Sequence, residues 1–109
     1  MMEKSKAFAN LDVLSVLTKA SPKVTITIIK EAGDSLLDAI SECARQIVAG
    51  TVQVDENKVA DLSKLLPVLN ILAQKKTSRK KKRFILMKKG FAILAVILPP
   101  VIQYILRFV

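Results

Sequence analysis

The sequence predicts an all-α protein, and three observations support this class. Apolar side chains recur every three or four residues through four stretches, which is the period of amphipathic helices. Serine, glycine and proline residues stand where those stretches begin and end. Only one stretch alternates like a strand. We therefore expect a small bundle of about four short helices in residues 1–74, followed by a basic segment at 75–89 and an apolar tail at 90–109.

The first two predicted helices meet at Ser21-Pro22. A helical apolar period runs from Phe8 through Leu17 and stops before this pair. Ser21 fits the N-cap of a second helix, with Pro22 in its first turn. The residues from Val24 to Ile28 are also β-branched and alternate as in a strand. Because a lone strand would leave its backbone groups unpaired, we favour a helix there.

The third predicted helix spans residues 35–48 and has the clearest amphipathic pattern. Ser35 and Asp38 are spaced as a capping box, and Gly50 stands where a C-terminal cap belongs. Cys43 lies on the apolar stripe and is interpreted as a small buried side chain. The polar residues predicted to lie on the solvent face are Asp38, Glu42, Arg45 and Gln46.

The fourth predicted helix follows a short extended link and is rich in leucine. Asp55 can cap it, and its apolar positions run from Val59 to Leu72. Pro67 lies inside this stretch. Because proline lacks a backbone donor and clashes with the preceding turn, it predicts a kink or a break near residues 63–67.

The composition indicates a protein without an active site. The chain has no histidine and one cysteine, so histidine bases, Cys/His pairs and the usual zinc sites are excluded, and we expect no cofactor. The carboxylates are placed at predicted caps or on polar faces, where a structural role is the simpler interpretation. We therefore predict a non-enzymatic protein with no catalytic residue and no bound metal.

Charge divides the chain into two parts. Residues 1–74 carry eight basic and nine acidic residues, whereas residues 75–109 carry ten basic residues and no acidic one. Self-repulsion among so many like charges favours a segment that is extended, or ordered only by a partner. The residues predicted to bind nucleic acid are Lys75, Lys76, Arg79, Lys80, Lys81, Lys82, Arg83, Lys88 and Lys89.

Several partners fit this basic segment. Neutralising phosphates of double-stranded DNA is the most direct use, and gives affinity that depends on salt and not on sequence. The run from Lys80 to Arg83 also suffices as a nuclear-localisation patch, and cations beside an apolar tail suit an anionic membrane. A solvated linker is the remaining alternative.

The apolar tail is too short for a straightforward membrane span. A helix from Phe91 to Leu106 would be ~24 Å long, against about 30 Å of bilayer core. Pro99-Pro100 should divide the tail into two parts, roughly 84–98 and 101–108, which could enter a membrane interface or pack on protein, within one chain or in an oligomer. The predicted interface residues are Phe91, Ile93, Leu94, Ile97, Leu98, Pro99, Pro100, Ile102, Tyr104 and Ile105.

The order of these features resembles a small protein encoded by Polinton (Maverick) elements and adintoviruses. The basic segment and apolar tail together are also similar to core protein X (mu) of adenoviruses. The resemblance covers about residues 35–105. The matching motifs are Leu36-Leu37-x-Ala39-Ile40-x-Glu42-Cys43-Ala44, Gly50-x-Val52, Leu72-Ala73, Ser78, Lys82-Arg83, Lys89-Gly90-Phe91 and Pro100-Val101.

The resemblance implies a minor structural component of a double-stranded DNA virus, located in the virion. The host nucleus is a second location that the nuclear-localisation patch at Lys80 to Arg83 allows. Its expected partners are packaged DNA, bound without sequence preference, and a capsid protein. The alternative is a membrane-active or tail-anchored protein that acts during entry. The related sequences usually have Gly-Gly-Phe where this chain has Lys89-Gly90-Phe91.

Overall fold

The computed structural model of the protein describes residues 6–107, and this part of the chain is helical without strands, which confirms the all-α prediction. A short 3₁₀ turn at Glu56–Lys58 precedes the fifth helix. The helices are α1 (Lys6–Ala9), α2 (Leu11–Lys19), α3 (Pro22–Glu31), α4 (Asp34–Val48), α5 (Val59–Ala73) and α6 (Arg79–Leu106).

The N-terminal helices follow the predicted pattern with one extra break. The single helix expected after Phe8 is two short helices, separated at Asn10, whose side-chain amide donates to the Ser35 hydroxyl over 3.1 Å. The second predicted helix is confirmed as α3. Ser21 Oγ accepts a hydrogen bond from the Val24 amide at 3.2 Å, and Pro22 occupies the first turn. The strand alternative is therefore wrong, because packing and capping outweigh β-branched propensity here.

Helix α4 ends as predicted but begins differently. Its N-cap is Gly33, and no side chain caps it, so the proposed Ser35 to Asp38 capping box is wrong. At the other end Gly50 has φ of 78°, which a glycine adopts without strain. The Gly50 amide donates to Ile47 O at 3.1 Å and the Thr51 amide to Gln46 O at 3.0 Å, which completes a Schellman cap.

Helix α5 is not split by its proline. Pro67 lies inside the continuous helix and is exposed, so water can reach the carbonyl whose backbone partner is missing. Asp55 precedes the 3₁₀ turn, but its side chain makes no capping hydrogen bond. The predicted start of the fourth helix is therefore displaced to Val59.

Helix α6 joins the basic segment and the apolar tail in one element of 28 residues. Pro99 and Pro100 lie inside it, so the expectation of two separate half-segments is wrong. The physical reason is packing. Leu98 and Val101, on either side of the proline pair, are fully buried, and their contacts hold the helical path where the local preference of the chain opposes it.

The hydrophobic core is built around α6, which packs against α2, α3, α4 and α5. Buried side chains from both sides of position 75 form one cluster, so the predicted boundaries at 75 and 90 are not boundaries of packing. Half of the ten predicted interface residues are core residues. Ile93, Leu94, Ile97, Leu98 and Ile105 are buried, Pro100, Ile102 and Tyr104 are half-buried, and Phe91 and Pro99 are exposed.

Candidate anion-binding surface and cleft

The basic segment is ordered and mostly helical. Lys75 and Lys76 lie in the link before α6, and the cations from Arg79 onward belong to its first turns. Ser78 is the N-cap, and its Oγ accepts a hydrogen bond from the Lys81 amide at 3.1 Å. The extended conformation that self-repulsion predicted is therefore wrong, because the cap and the contacts described below fix this end of the helix.

Seven of the nine predicted DNA-binding residues are exposed, and the six among them that make no ion pair within residues 6–107 are lysines. The helical repeat places Lys80, Lys81 and Lys88 along the exposed side of α6, together with Phe84. Lys88 Nζ lies 4.8 Å from the centre of the Phe84 ring, a cation–π contact. These exposed cations, called here the lysine surface, are Lys75, Lys76, Lys80, Lys81, Lys88 and Lys89.

Arg79 is exposed, but its guanidinium group is paired with carboxylates of α4. Its Nε and Nη2 donate to the two carboxylate oxygens of Asp38 at 3.0 and 2.9 Å, and Nη1 lies 3.6 Å from Asp34 Oδ2. The hydrogen bond from Arg79 lowers the pKa of Asp38. This pairing joins the first turn of α6 to the first two turns of α4, where Asp34, in the first turn, also favours the helix dipole.

Arg83 closes the C-terminal end of α3. Its Nη1 donates to Ile29 O at 2.8 Å and to Lys30 O at 3.2 Å. These carbonyls lie in the last turn of the helix, where Ile29 O also accepts a hydrogen bond from the Ala32 amide at 3.1 Å, and a cation there favours the dipole. Arg83 is half-buried, and we assign it a structural role in place of the predicted contact with DNA.

Lys82 is buried in the groove between α4 and α6. Only 4% of the residue is exposed. Burial lowers the pKa of its ammonium group, nearby Arg45 lowers it further, and Asp38 opposes the shift. Among residues 6–107, no carboxylate lies within salt-bridge distance of this ammonium group. A charge in such surroundings is costly unless a partner compensates it.

A cleft of about 320 Å³ opens beside Lys82, between α4 and the start of α6. Sequence reasoning placed Asp38, Glu42 and Arg45 on a solvent face, but they line this cleft and are half-buried. The signal in the sequence was charge: these residues include two carboxylates on one side of α4, and the basic segment has no acidic residue of its own. The lining residues are Lys6, Asp38, Ser41, Glu42, Arg45, Lys75, Arg79 and Lys82.

Two cleft residues also hold the backbone of neighbouring helices. Arg45 Nε donates to Ala73 O at 3.0 Å, at the end of α5. The Glu42 carboxylate accepts hydrogen bonds from the amides of Lys6, at 3.3 Å, and Ala7, at 3.2 Å, the first two residues of α1. Side chains of α4 thus cap one helix on each side, which fixes the walls of the cleft.

The thiol and the carboxylates do not form a reactive or metal-binding centre in the described region. Cys43 is fully buried, and burial raises its pKa to about 12, so it stays a thiol at neutral pH. Across residues 6–107 no group of three or more cysteine or carboxylate side chains is arranged to hold a metal ion.

Comparison with known proteins adds nothing to this geometry. The chain has no match among family models, curated proteins or solved structures. The likeness to Polinton, adintovirus and adenovirus proteins therefore stays a prediction from the motifs. The features of the molecule that bear on its function are the lysine surface, the cleft and the exposed apolar side chains.

Proposed function

We propose that this chain is a non-enzymatic minor structural protein of a double-stranded DNA virus, which binds packaged DNA through its lysine surface and a capsid protein through exposed apolar side chains. The observation that carries the DNA part is the lysine surface itself. Six exposed lysines lie within fifteen residues, from Lys75 to Lys89, and no acidic residue lies between them.

The geometry suits phosphates better than bases. Lysine is a compact charge on a flexible stem, which neutralises phosphates without requiring a fixed orientation. Lys80, Lys81 and Lys88 share one side of a rigid helix, so their charges stay together when they meet a duplex. Phe84 is the one aromatic side chain among them, and it already contacts Lys88, which supports binding that does not depend on sequence.

The capsid contact is proposed for the apolar side chains that the helices leave exposed. Val16 on α2 is 55% exposed, Val24 and Ile26 on α3 are 46% and 41% exposed, and Phe91 on α6 is 44% exposed. Exposed apolar side chains of this size are typical of protein contacts when they are grouped.

Salt dependence of duplex binding tests the DNA part. The change is Lys80→Ala, Lys81→Ala and Lys88→Ala together in the full chain, measured by fluorescence anisotropy with a 20-base-pair duplex at several salt concentrations. If each lysine contacts one phosphate, the slope of log affinity against log salt should become less negative by about 2.7 in the triple variant.

A charge-matched control separates direct contact between the lysine surface and DNA from the attraction of DNA to the net positive charge of the protein. Lys19, Lys58 and Lys64 are exposed lysines outside the basic segment, and their replacement by alanine removes the same formal charge. We expect this second triple variant to keep nearly the wild-type slope. DNA affinity that does not change with salt, or equal losses in both variants, would remove the proposed DNA function.

A membrane-active role is the second candidate, because α6 has the length and composition of a membrane-crossing helix. Against it, α6 packs against α2, α3, α4 and α5, and 44% of its most apolar window is buried within the protein. An interfacial mode remains, in which Phe84 and Phe91 enter the headgroup region beside the lysines.

Vesicle flotation tests this candidate. The full chain is mixed with vesicles of anionic or zwitterionic lipid, with and without Phe84→Ala and Phe91→Ala. Membrane activity predicts flotation with anionic vesicles that the double variant loses. A full chain that stays soluble without detergent and does not float would exclude the membrane role and favour DNA.

A further inference from the structure

Among residues 6–107, the cleft between α4 and α6 contains more positive charge than the carboxylates lining it neutralise. Five cationic and two anionic side chains line it. Both carboxylates are already engaged, since Asp38 accepts two hydrogen bonds from Arg79 and Glu42 accepts two from backbone amides of α1. Within residues 6–107 no carboxylate forms a salt bridge with the remaining four cations: Lys6, Arg45, Lys75 and Lys82.

Lys82 is the most informative of these cations. Surface lysines keep their ammonium groups in water, but Lys82 is 4% exposed and lies among other positive side chains. Arg45 adds to this arrangement because only its Nε is used, in the bond to Ala73 O. Its two terminal nitrogens have no recorded partner among the described residues. The two side chains therefore retain donors for an anion.

Ser41 is a second, independent sign of a ligand. The residue is 2% exposed, it lines the cleft, and its Oγ has no hydrogen-bond partner among residues 6–107. A buried hydroxyl without a partner is costly, and a serine in a helix usually bonds to the preceding turn. Ser41 stands one helical turn before Arg45, so both side chains lie on the same side of α4.

We propose that this cleft binds a phosphate-bearing anion. Lys82 and Arg45 supply the main positive charge, the Ser41 hydroxyl donates to an anion oxygen, and Lys6 and Lys75 complete the positive lining. The cleft volume of about 320 Å³ equals that of roughly ten water molecules, which leaves room for a diphosphate or triphosphate group. This assignment does not require DNA binding, because the lysine surface lies on exposed side chains outside the cleft, apart from Lys75.

Pyrophosphate binding to the full chain is the test, measured by isothermal titration calorimetry and by the rise in melting temperature at constant ionic strength. Lys82→Met keeps the length of the side chain and removes its charge. We expect it to weaken pyrophosphate binding at least about tenfold, because a charge-assisted hydrogen bond to the anion is lost. Ser41→Ala should weaken binding a few-fold, with no loss in melting temperature of the free protein.

Lys64→Met is the matched control, since it removes the same charge from an exposed position on α5, outside both the cleft and the lysine surface. It should bind pyrophosphate within about twofold of wild type, because solvent and salt screen its charge. Circular dichroism confirms that each variant folds. The assignment is overturned if Lys82→Met and Lys64→Met bind equally well, or if pyrophosphate stabilises the protein no more than sodium chloride at equal ionic strength.

Competition with duplex DNA identifies the source of the phosphate. If a duplex displaces pyrophosphate, a backbone phosphate of DNA occupies the cleft, and Lys82→Met should then lose DNA affinity as well. If pyrophosphate and DNA bind together, a free phosphate compound is the ligand. A chain that binds pyrophosphate but no DNA would contradict the proposed DNA function and leave the cleft assignment standing.

Discussion

Arg83 Nη1 donates a hydrogen bond to Ile29 O at 2.8 Å and thereby ties α6 to the end of α3. In the sequence Arg83 is one of five consecutive cations, all of them equivalent as charges. In the fold it differs from its exposed neighbour Lys81 in both surroundings and role. A positive charge in a basic run is therefore available to a partner only where the helix turns it outward.

Arg83→Lys should destabilise the protein while leaving DNA binding nearly unchanged. Lysine keeps the charge, but its side chain is one bond shorter than the path to Arg83 Nη1, the nitrogen that donates to both carbonyls of α3. We expect a loss of about 1 to 2 kcal/mol in the free energy of unfolding, measured by urea denaturation.

Lys81→Ala is the converse variant and should weaken DNA binding without loss of stability. Lys81 is exposed, and its backbone amide, not its side chain, takes part in the cap of α6. Alanine favours a helix at least as well as lysine. If Arg83→Lys and Lys81→Ala changed stability and DNA affinity in the same proportions, the division between inward and outward cations would be wrong.

The sequence was sufficient for the helical class because caps and apolar period agree in most elements. Ser21 before Pro22, and Gly50 after α4, carry that information locally. The conformation of α6 was not predictable in the same way. Pro99 and Pro100 favour a break in the helix locally. The neighbouring residues Leu98 and Val101 are buried against other helices, and this packing overrides the local preference.

The cleft was also beyond local reasoning. Asp38, Glu42 and Arg45 are spaced as an ordinary polar helix face, and nothing in that spacing shows that another helix covers it. Charge offered a partial signal, since a segment with no acidic residue needs acidic partners elsewhere in the chain. Which of its nine cations would turn toward those carboxylates depends on the register of α6 against α4.

Asp38→Asn should reduce stability at neutral pH, and the difference should disappear in acid. The pKa of Asp38 is lowered in the fold, chiefly by the hydrogen bond from Arg79. A lowered carboxyl pKa stabilises the folded state above the unfolded value of 3.8, and this contribution is lost as pH falls through the folded pKa. The measurement is melting temperature of both proteins between pH 7 and pH 2.5.

Asp61→Asn is the matched control for this experiment. Asp61 is an exposed carboxylate on α5 for which no salt bridge is found among the described residues. Its replacement should leave the pH profile of the melting temperature close to that of wild type. If the melting temperatures of wild type and Asp38→Asn differed by the same amount at every pH, the ionised form of Asp38 would not be what stabilises its contact with Arg79.

Leu94→Ala tests whether the apolar part of α6 belongs to the core in solution. Leu94 is 1% exposed, and truncation of a buried leucine leaves a cavity. The expected cost is about 2 to 5 kcal/mol in the free energy of unfolding. Leu106, near the end of the same helix, is 53% exposed. Leu106→Ala should cost no more than about 0.5 kcal/mol. Equal small effects at both positions would mean that the helix does not pack as described.

Thr25→Val should stabilise the protein. Thr25 is 1% exposed, and its Oγ1 has no hydrogen-bond partner within residues 6–107. Valine has nearly the same shape, and its extra methyl group replaces a hydroxyl that loses its contact with water on folding. The expected gain is about 1 kcal/mol or more in the free energy of unfolding, measured in urea.

Gly90→Ala should stabilise the contact between α3 and α6 near Thr25, for a different reason. Gly90 lies inside α6, where alanine is preferred to glycine by about 0.5 to 1 kcal/mol. An added Cβ would lie 3.6 Å from Leu86 Cβ and 3.9 Å from Thr25 Cγ2, ordinary contact distances that require no shift. The gain should appear in urea denaturation, and it should add to that of Thr25→Val only in part, because the two sites touch.

Gly50→Ala is the contrasting variant: its φ of 78° disfavours alanine, so the same change should destabilise the protein there. A loss of stability in Gly90→Ala would show that α3 and α6 lie too close together to accommodate the added methyl group.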